Sequence, residues 1–242
     1  MVREVAAVLQ DHVVDQLGRE VVDGAVQAGD TYTLEEIQRR FNISRTVARD
    51  AMRSLESLGL VVARRRVGLQ VRPRSEWNVN HPRVIRLRLQ GPGRAQQYRE
   101  LAELRVAVEP YAAHLAALRA NDEQREELRA IAEGMERAGT AGDLTAFLEQ
   151  DARLHSVILE AGHNAHFATL DPVVQAVLAG RTESGVLPFH GEGTAVADHV
   201  RLATAVAEGD AGAAEGASRA VVAEIRNSLD DSFDPNGSTL GQ

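Results

Sequence analysis

The stretch Asn42-Ile43-Ser44-Arg45-Thr46-Val47-Ala48-Arg49-Asp50-Ala51-Met52-Arg53-Ser54-Leu55-Glu56-Ser57-Leu58-Gly59-Leu60-Val61-Val62 reads as a tight break, a capped helix and the start of a strand. A serine hydroxyl can accept from the free N–H groups of a helix's first turn, so Ser44 predicts a helix over Arg45–Leu58, and Gly59 stops it. At 100° per residue Val47, Ala48, Ala51, Leu55 and Leu58 share one side, while Arg45, Arg49 and Arg53 lie one turn apart on the other. An arginine row at that spacing is also what a plain solvated helix face looks like, so its neighbours decide.

Upstream, Val5, Leu9, Val13, Leu17 and Val21 mark an amphipathic first helix ended by Gly24. Thr33-x-x-Glu36 is a capping box that opens a short second helix to Arg40 or Phe41. Two helices joined by so short a turn form a helix-turn-helix. Downstream, 60–63 and 69–71 read as short strands around Arg64-Arg65-Arg66-Val67-Gly68. A hairpin tip with three arginines beside a helix with three more predicts a wing next to a recognition helix. Such a wing neutralises phosphate, and the helix N-terminus reads base edges. Arg45, Arg49 and Arg53 on the helix and Arg64, Arg65 and Arg66 at the tip are thus candidate DNA-contacting residues.

The net charge of -8 is unevenly spread. Up to Ser75 twelve arginines meet ten acids, a net of +2, and the remainder carries -10. Only the docking face of a DNA binder must match phosphate, so an acidic body is compatible with this reading. The chain has no cysteine, which excludes disulfides and thiolate chemistry and leaves histidines and carboxylates as metal ligands. Charges interrupt the N-terminal apolar run and no window approaches the roughly 18 apolar residues of a membrane span, which predicts a cytoplasmic protein without membrane contact.

Residues 1–75 are expected as the winged domain, 76–95 as a linker, 96–233 as an all-helical domain and 234–242 as a flexible tail. The fold class is therefore mostly α, three helices and a β-hairpin wing followed by a helical bundle. Helices are expected at about 96–120, 122–138, 142–161, 164–182, 194–208 and 210–230. Residues 84–89 read as either a strand or a short helix, and Trp77 as an anchor packed between domains.

The 42–62 stretch resembles the GntR family of bacterial regulators, whose members carry a similar serine-arginine run ending in Leu-x-x-x-Gly-Leu-Val; the resemblance implies Arg45, Thr46 and Arg49 as base and phosphate readers beside Ser44 and Arg53, with Arg64, Arg65, Arg66 and Gly68 in a minor-groove wing. Two departures stand out: Glu35 where many relatives have a basic residue, and an extra arginine in the wing. The run from Glu103 through Arg105, Glu109 and Tyr111 to Ala117 resembles the first helix of the FCD-type ligand-binding domain of the FadR subgroup. Asp151-x-x-x-His155, Ala161-Gly162-His163-Asn164 and Asp198-His199 match further motifs of that domain.

Four residues apart on a helix, Asp151 and His155 can reach one ion or simply hydrogen-bond to each other. The resemblance implies a site in which His199 joins them to hold zinc, nickel or manganese. Relatives place a further histidine where this chain has Val221, which implies weaker binding and a metal linked to the effector. Arg105 is a candidate carboxylate clamp for the effector, or else the partner of a buried glutamate. His114, His163, His166 and His190 have no matching role. The Trp77-Asn78-x-x-x-Pro82 segment resembles that of sugar-acid regulators. The resemblance thus implies a repressor, a homodimer on palindromic double-stranded operator DNA, released by a small carboxylate. Two rivals are a dimer that binds DNA without any effector, and a metal-dependent hydrolase, for which no general base is evident.

Overall fold

The computed structural model describes the backbone of residues 2–184 and 194–233, and side chains over 6–179 and 195–223. His190 and the tail 234–242 lie outside the described residues. The chain folds as two units that part between Arg94 and Ala95.

The N-terminal unit opens with α1 (Val2–Val22), followed by β1 (Thr31–Tyr32), α2 (Leu34–Phe41) and α3 (Arg45–Ser57). Both short helices start at the predicted caps. Thr33 and Glu36 form the reciprocal capping box, and Ser44 Oγ accepts from the Val47 N–H. Between them Asn42 takes the left-handed conformation (φ 51°) that reverses the chain, a conformation Asn tolerates better than other residues with a Cβ. The apolar side of α3 packs on α1, and Leu17, Leu55 and Leu60 are fully buried in the shared core. Truncating any one of these leucines to alanine typically costs ~2–5 kcal/mol, the lost transfer energy plus the cavity left behind.

The wing is an antiparallel hairpin of β2 (Val61–Arg64) and β3 (Gly68–Val71), pairing Val61 with Val71 and Arg64 with Gly68. β1 adds to its other edge, giving the order β1-β3-β2. This third strand was not expected, because two residues carry no readable alternation. Gly68 has φ +115°, and a Cβ placed there would lie 2.3 Å from the Tyr32 carbonyl oxygen. Gly68→Ala is therefore expected to cost about 2 kcal/mol or more of stability, measured by urea denaturation. A loss below about 0.5 kcal/mol would show that β1 yields instead.

The expected linker 76–95 is mostly structured. Helix α4 (Pro82–Gln90) packs on α1, with Val84, Ile85, Leu87 and Leu89 buried, so the helical alternative for 84–89 is the observed one. Arg83 donates to Asp11 and Asp15, each at 2.8 Å, tying α4 to α1. Trp77 packs on the N-terminal core and its indole N–H donates to the Arg72 carbonyl.

The C-terminal unit holds α5 (Arg94–Arg119), α6 (Asp122–Ala141), α7 (Leu144–Ala161), α8 (Ala165–Ala168), α9 (Asp171–Ser184), α10 (Thr194–Glu208) and α11 (Ala211–Phe233). Its core gathers small and aliphatic side chains from α5, α6, α7, α9, α10 and α11, with Phe147 the largest. The single helix expected over 164–182 is instead two. Pro172 lacks the N–H and its ring opposes the carbonyl four residues back, so a continuous helix through 168–172 is disfavoured and α9 starts afresh at Asp171.

Candidate functional site

On α3 the side chains of Arg45, Thr46 and Arg49 are exposed beside the exposed Ser44 cap, and Arg45 and Arg49 make no ion pair among the described residues. Arg53 stands 3.6 Å from Asp50, one turn further on. In the wing Arg64, Arg65 and Arg66 are exposed, Arg66 in a left-handed turn position and Arg64 donating to Gln70. Gly68 is half-buried under β1 and serves the turn rather than presenting a side chain.

A second constellation lies inside the C-terminal unit. Helix α5 supplies Arg105 and Glu109, α7 supplies Asp151 and His155, and α10 supplies His199, all of them buried. Asp151 Oδ1 lies 3.2 Å from His155 Nε2 and 3.2 Å from His199 Nε2. His199 Nδ1 is 2.7 Å from the Ala195 carbonyl oxygen, which can only accept, so Nδ1 carries a proton and Nε2 is the nitrogen turned to Asp151. Behind His155, Glu109 Oε2 stands 3.1 Å from Nδ1. Arg105 Nε donates to Glu109 Oε1 at 2.5 Å, and its Nη2 lies 3.1 Å from His155 Nε2. Of the two alternatives for Arg105, the buried glutamate partner is the one observed, and its buried Nη1 has no hydrogen-bond partner.

Asp151 Oδ1 is likewise buried without a hydrogen bond of acceptable geometry. A neutral His199 in that tautomer turns its Nε2 lone pair to the carboxylate oxygen at 3.2 Å, a contact that either a proton on Nε2 or a cation between the two atoms relieves. Two donors that each sit about 2.1 Å from one ion at tetrahedral or octahedral angles are roughly 3.0–3.4 Å apart. The observed spacings fall in that range, and all three ligand atoms lie within 4.8 Å of one another. Glu109 behind His155 has the place of the outer carboxylate that orients a metal-binding imidazole. The donor set of one carboxylate and two imidazoles therefore fits a divalent ion of the zinc, nickel or manganese type. Val221 is buried and offers no ligand.

The electrostatics agree. Burial alone would raise the Asp151 carboxyl, but the charges of His199 and His155 outweigh it and hold the group well below the ordinary carboxylate range. Burial would also raise Glu109, which Arg105 and His155 instead hold low. Burial lowers His155, and Glu109 more than offsets that, so its imidazole is raised. The centre favours positive charge.

Sequence reasoning anticipated a glutamate partner for Arg105 without identifying Glu109. The signal was the four-residue spacing on one helix, too common to single out a residue. Among the other histidines, His114 faces the Glu215 carboxylate at 3.3 Å, and His163 and His166 are exposed.

Residues 9–71 match the model of bacterial regulatory proteins of the gntR family, and residues 100–224 match the FCD domain. The galactonate operon transcriptional repressor of Escherichia coli is 30% identical over 155 residues, covering 64% of this chain and 67% of that protein. An HTH-type transcriptional regulator of Mycobacterium tuberculosis is 26% identical over 209 residues, 85% of this chain and 83% of its own length. Among solved structures, the Listeria monocytogenes regulator Lar superposes with a TM-score of 0.58 at 16% identity, covering 91% of this chain and 95% of Lar. Streptococcus agalactiae GntR gives 0.50 at 22% identity, covering 90% and 99%. These two show a common fold. The chain belongs to the GntR family of bacterial transcription regulators, with an FCD domain as its C-terminal unit.

Proposed function

We propose that the chain is a repressor that binds operator DNA as a homodimer in the cytoplasm and releases it when a small carboxylate binds, together with a divalent ion, in the C-terminal unit. The observation that carries the reading is the buried Asp151 oxygen held between two imidazole nitrogens without a hydrogen bond. Asp151, His155 and His199 would hold the ion. A divalent ion there supplies a Lewis-acidic anchor for a carboxylate, with open coordination positions because Val221 cannot ligate. Arg105, with its unpaired Nη1, would hold the effector's carboxylate, and Glu109 keeps the guanidinium and the His155 ring in place. On the DNA side, Arg45, Thr46 and Arg49 read the major groove, and Ser44, Arg53 and the wing arginines position the backbone. No helix among the described residues is long and apolar enough to cross a membrane.

The galactonate named for the bacterial relative makes a sugar acid one effector class. An aliphatic acid is a second class: beside Arg105 and Glu109 lies a narrow slot of about 10 Å3, room for no more than about one water, which would have to widen to admit it. Its remaining lining is leucine and valine, among them Leu104, Val108, Leu159, Val173 and Val177. Such walls offer hydroxyl groups no hydrogen-bond partners.

The test is fluorescence anisotropy on a DNA fragment selected from a random pool, with manganese, and with a panel of sugar acids and aliphatic acids. The proposal expects one carboxylate class to weaken DNA binding in the presence of metal. DNA binding that ignores every metal and carboxylate would instead support the effector-independent dimer. The ligand acts only through unequal affinity for the two states, so it must bind the DNA-free form more tightly.

A further inference from the structure

Glu109, Asp151 and Arg105 are the buried residues of the C-terminal unit, among the described ones, that carry a full charge when a metal is bound, because His155 and His199 ligate as neutral imidazoles. Two carboxylates and one guanidinium leave a dication with one positive charge uncompensated. A buried unpaired charge is strongly disfavoured. Arg105 also crowds the ion's place directly, since its Nη2 lies 3.1 Å from His155 Nε2, the atom a metal needs.

Resting on the metal reading above, we infer that Arg105 couples the metal to its effector: it opposes binding of the ion alone and makes one carboxylate anion the partner that completes the charge. With an anion between the ion and Arg105 Nη1, the centre is neutral and the orphaned donor is satisfied. Removing the guanidinium should then produce a tighter metal site that no longer responds to anions, the reverse of what loss of a supporting residue does.

The charge can be stepped with near-isosteric changes. Glu109→Gln raises the loaded centre by one unit, Arg105→Gln lowers it by one, and the double variant restores the wild-type count. Arg105→Lys keeps the charge. The measurement is isothermal titration of the intact chain with Mn2+ in a carboxylate-free buffer, repeated with saturating acetate.

The expected order of Mn2+ affinity without acetate is Arg105→Gln, then wild type level with the double variant, then Glu109→Gln. Each step is at least about tenfold, ~1.4 kcal/mol. Acetate strengthens Mn2+ binding in wild type, Arg105→Lys and the double variant, and leaves Arg105→Gln unchanged. If Arg105→Gln binds Mn2+ no more tightly than wild type, or gains as much from acetate, the coupling role is wrong while the metal site stands. If neither wild type nor any variant binds Mn2+, the metal reading itself fails. Should Arg105→Gln not fold, the double variant and Glu109→Gln decide by the same charge order.

Discussion

Replacing Arg45 and Arg49 together with alanine is expected to weaken binding to a selected DNA site by about 2–6 kcal/mol, counting ~1–3 kcal/mol for each lost base contact. Both side chains are exposed on the outer face of α3, so their loss should leave folding intact. The two contributions can be told apart by salt. A lost phosphate contact lowers the dependence of log K on log[salt] by about one unit, whereas a lost base contact relaxes sequence preference at one position. Anisotropy titrations at several salt concentrations measure both. Unchanged affinity in the double variant would mean that another surface faces DNA.

The second large effect concerns Asp151→Asn. The amide is isosteric and can donate to a neighbouring imidazole nitrogen, so the orphaned acceptor disappears along with the charge. Because the folded state holds the Asp151 carboxyl well below its ordinary range, the metal-free variant is expected to be less stable than wild type at neutral pH, and each protein's metal shift is read from its own metal-free midpoint. For wild type, an ion at a hundredfold excess over its dissociation constant adds about 2.7 kcal/mol. In a unit of this size that raises the thermal midpoint by roughly 5–10 °C. Asp151→Asn should lose the whole shift. A shift retained in the variant would place the ion elsewhere.

The helix-turn-helix was legible because its information is local. Thr33, Ser44 and the four-residue apolar spacing on α3 act within single helices, and these caps form as the residues dictate. The elements misjudged depend on distant partners. The two-residue β1 exists because β3 offers it an edge, and α4 is fixed by burial on α1 and by the pairing of Arg83 with Asp11 and Asp15. In the site, Asp151 and His155 follow from one helical turn. His199 came only from family resemblance, since 44 residues separate it from His155 and no local rule joins them. Glu109 escaped notice because its function depends on a contact with His155 on another helix.

The most direct test of the account is a count of bound ions. Chelator-treated wild type and Asp151→Asn would each be dialysed against manganese or zinc with acetate and analysed for metal per chain. The account predicts one tightly held ion per chain in wild type and none in Asp151→Asn. Equal metal content in the two proteins, or none in either, would contradict it.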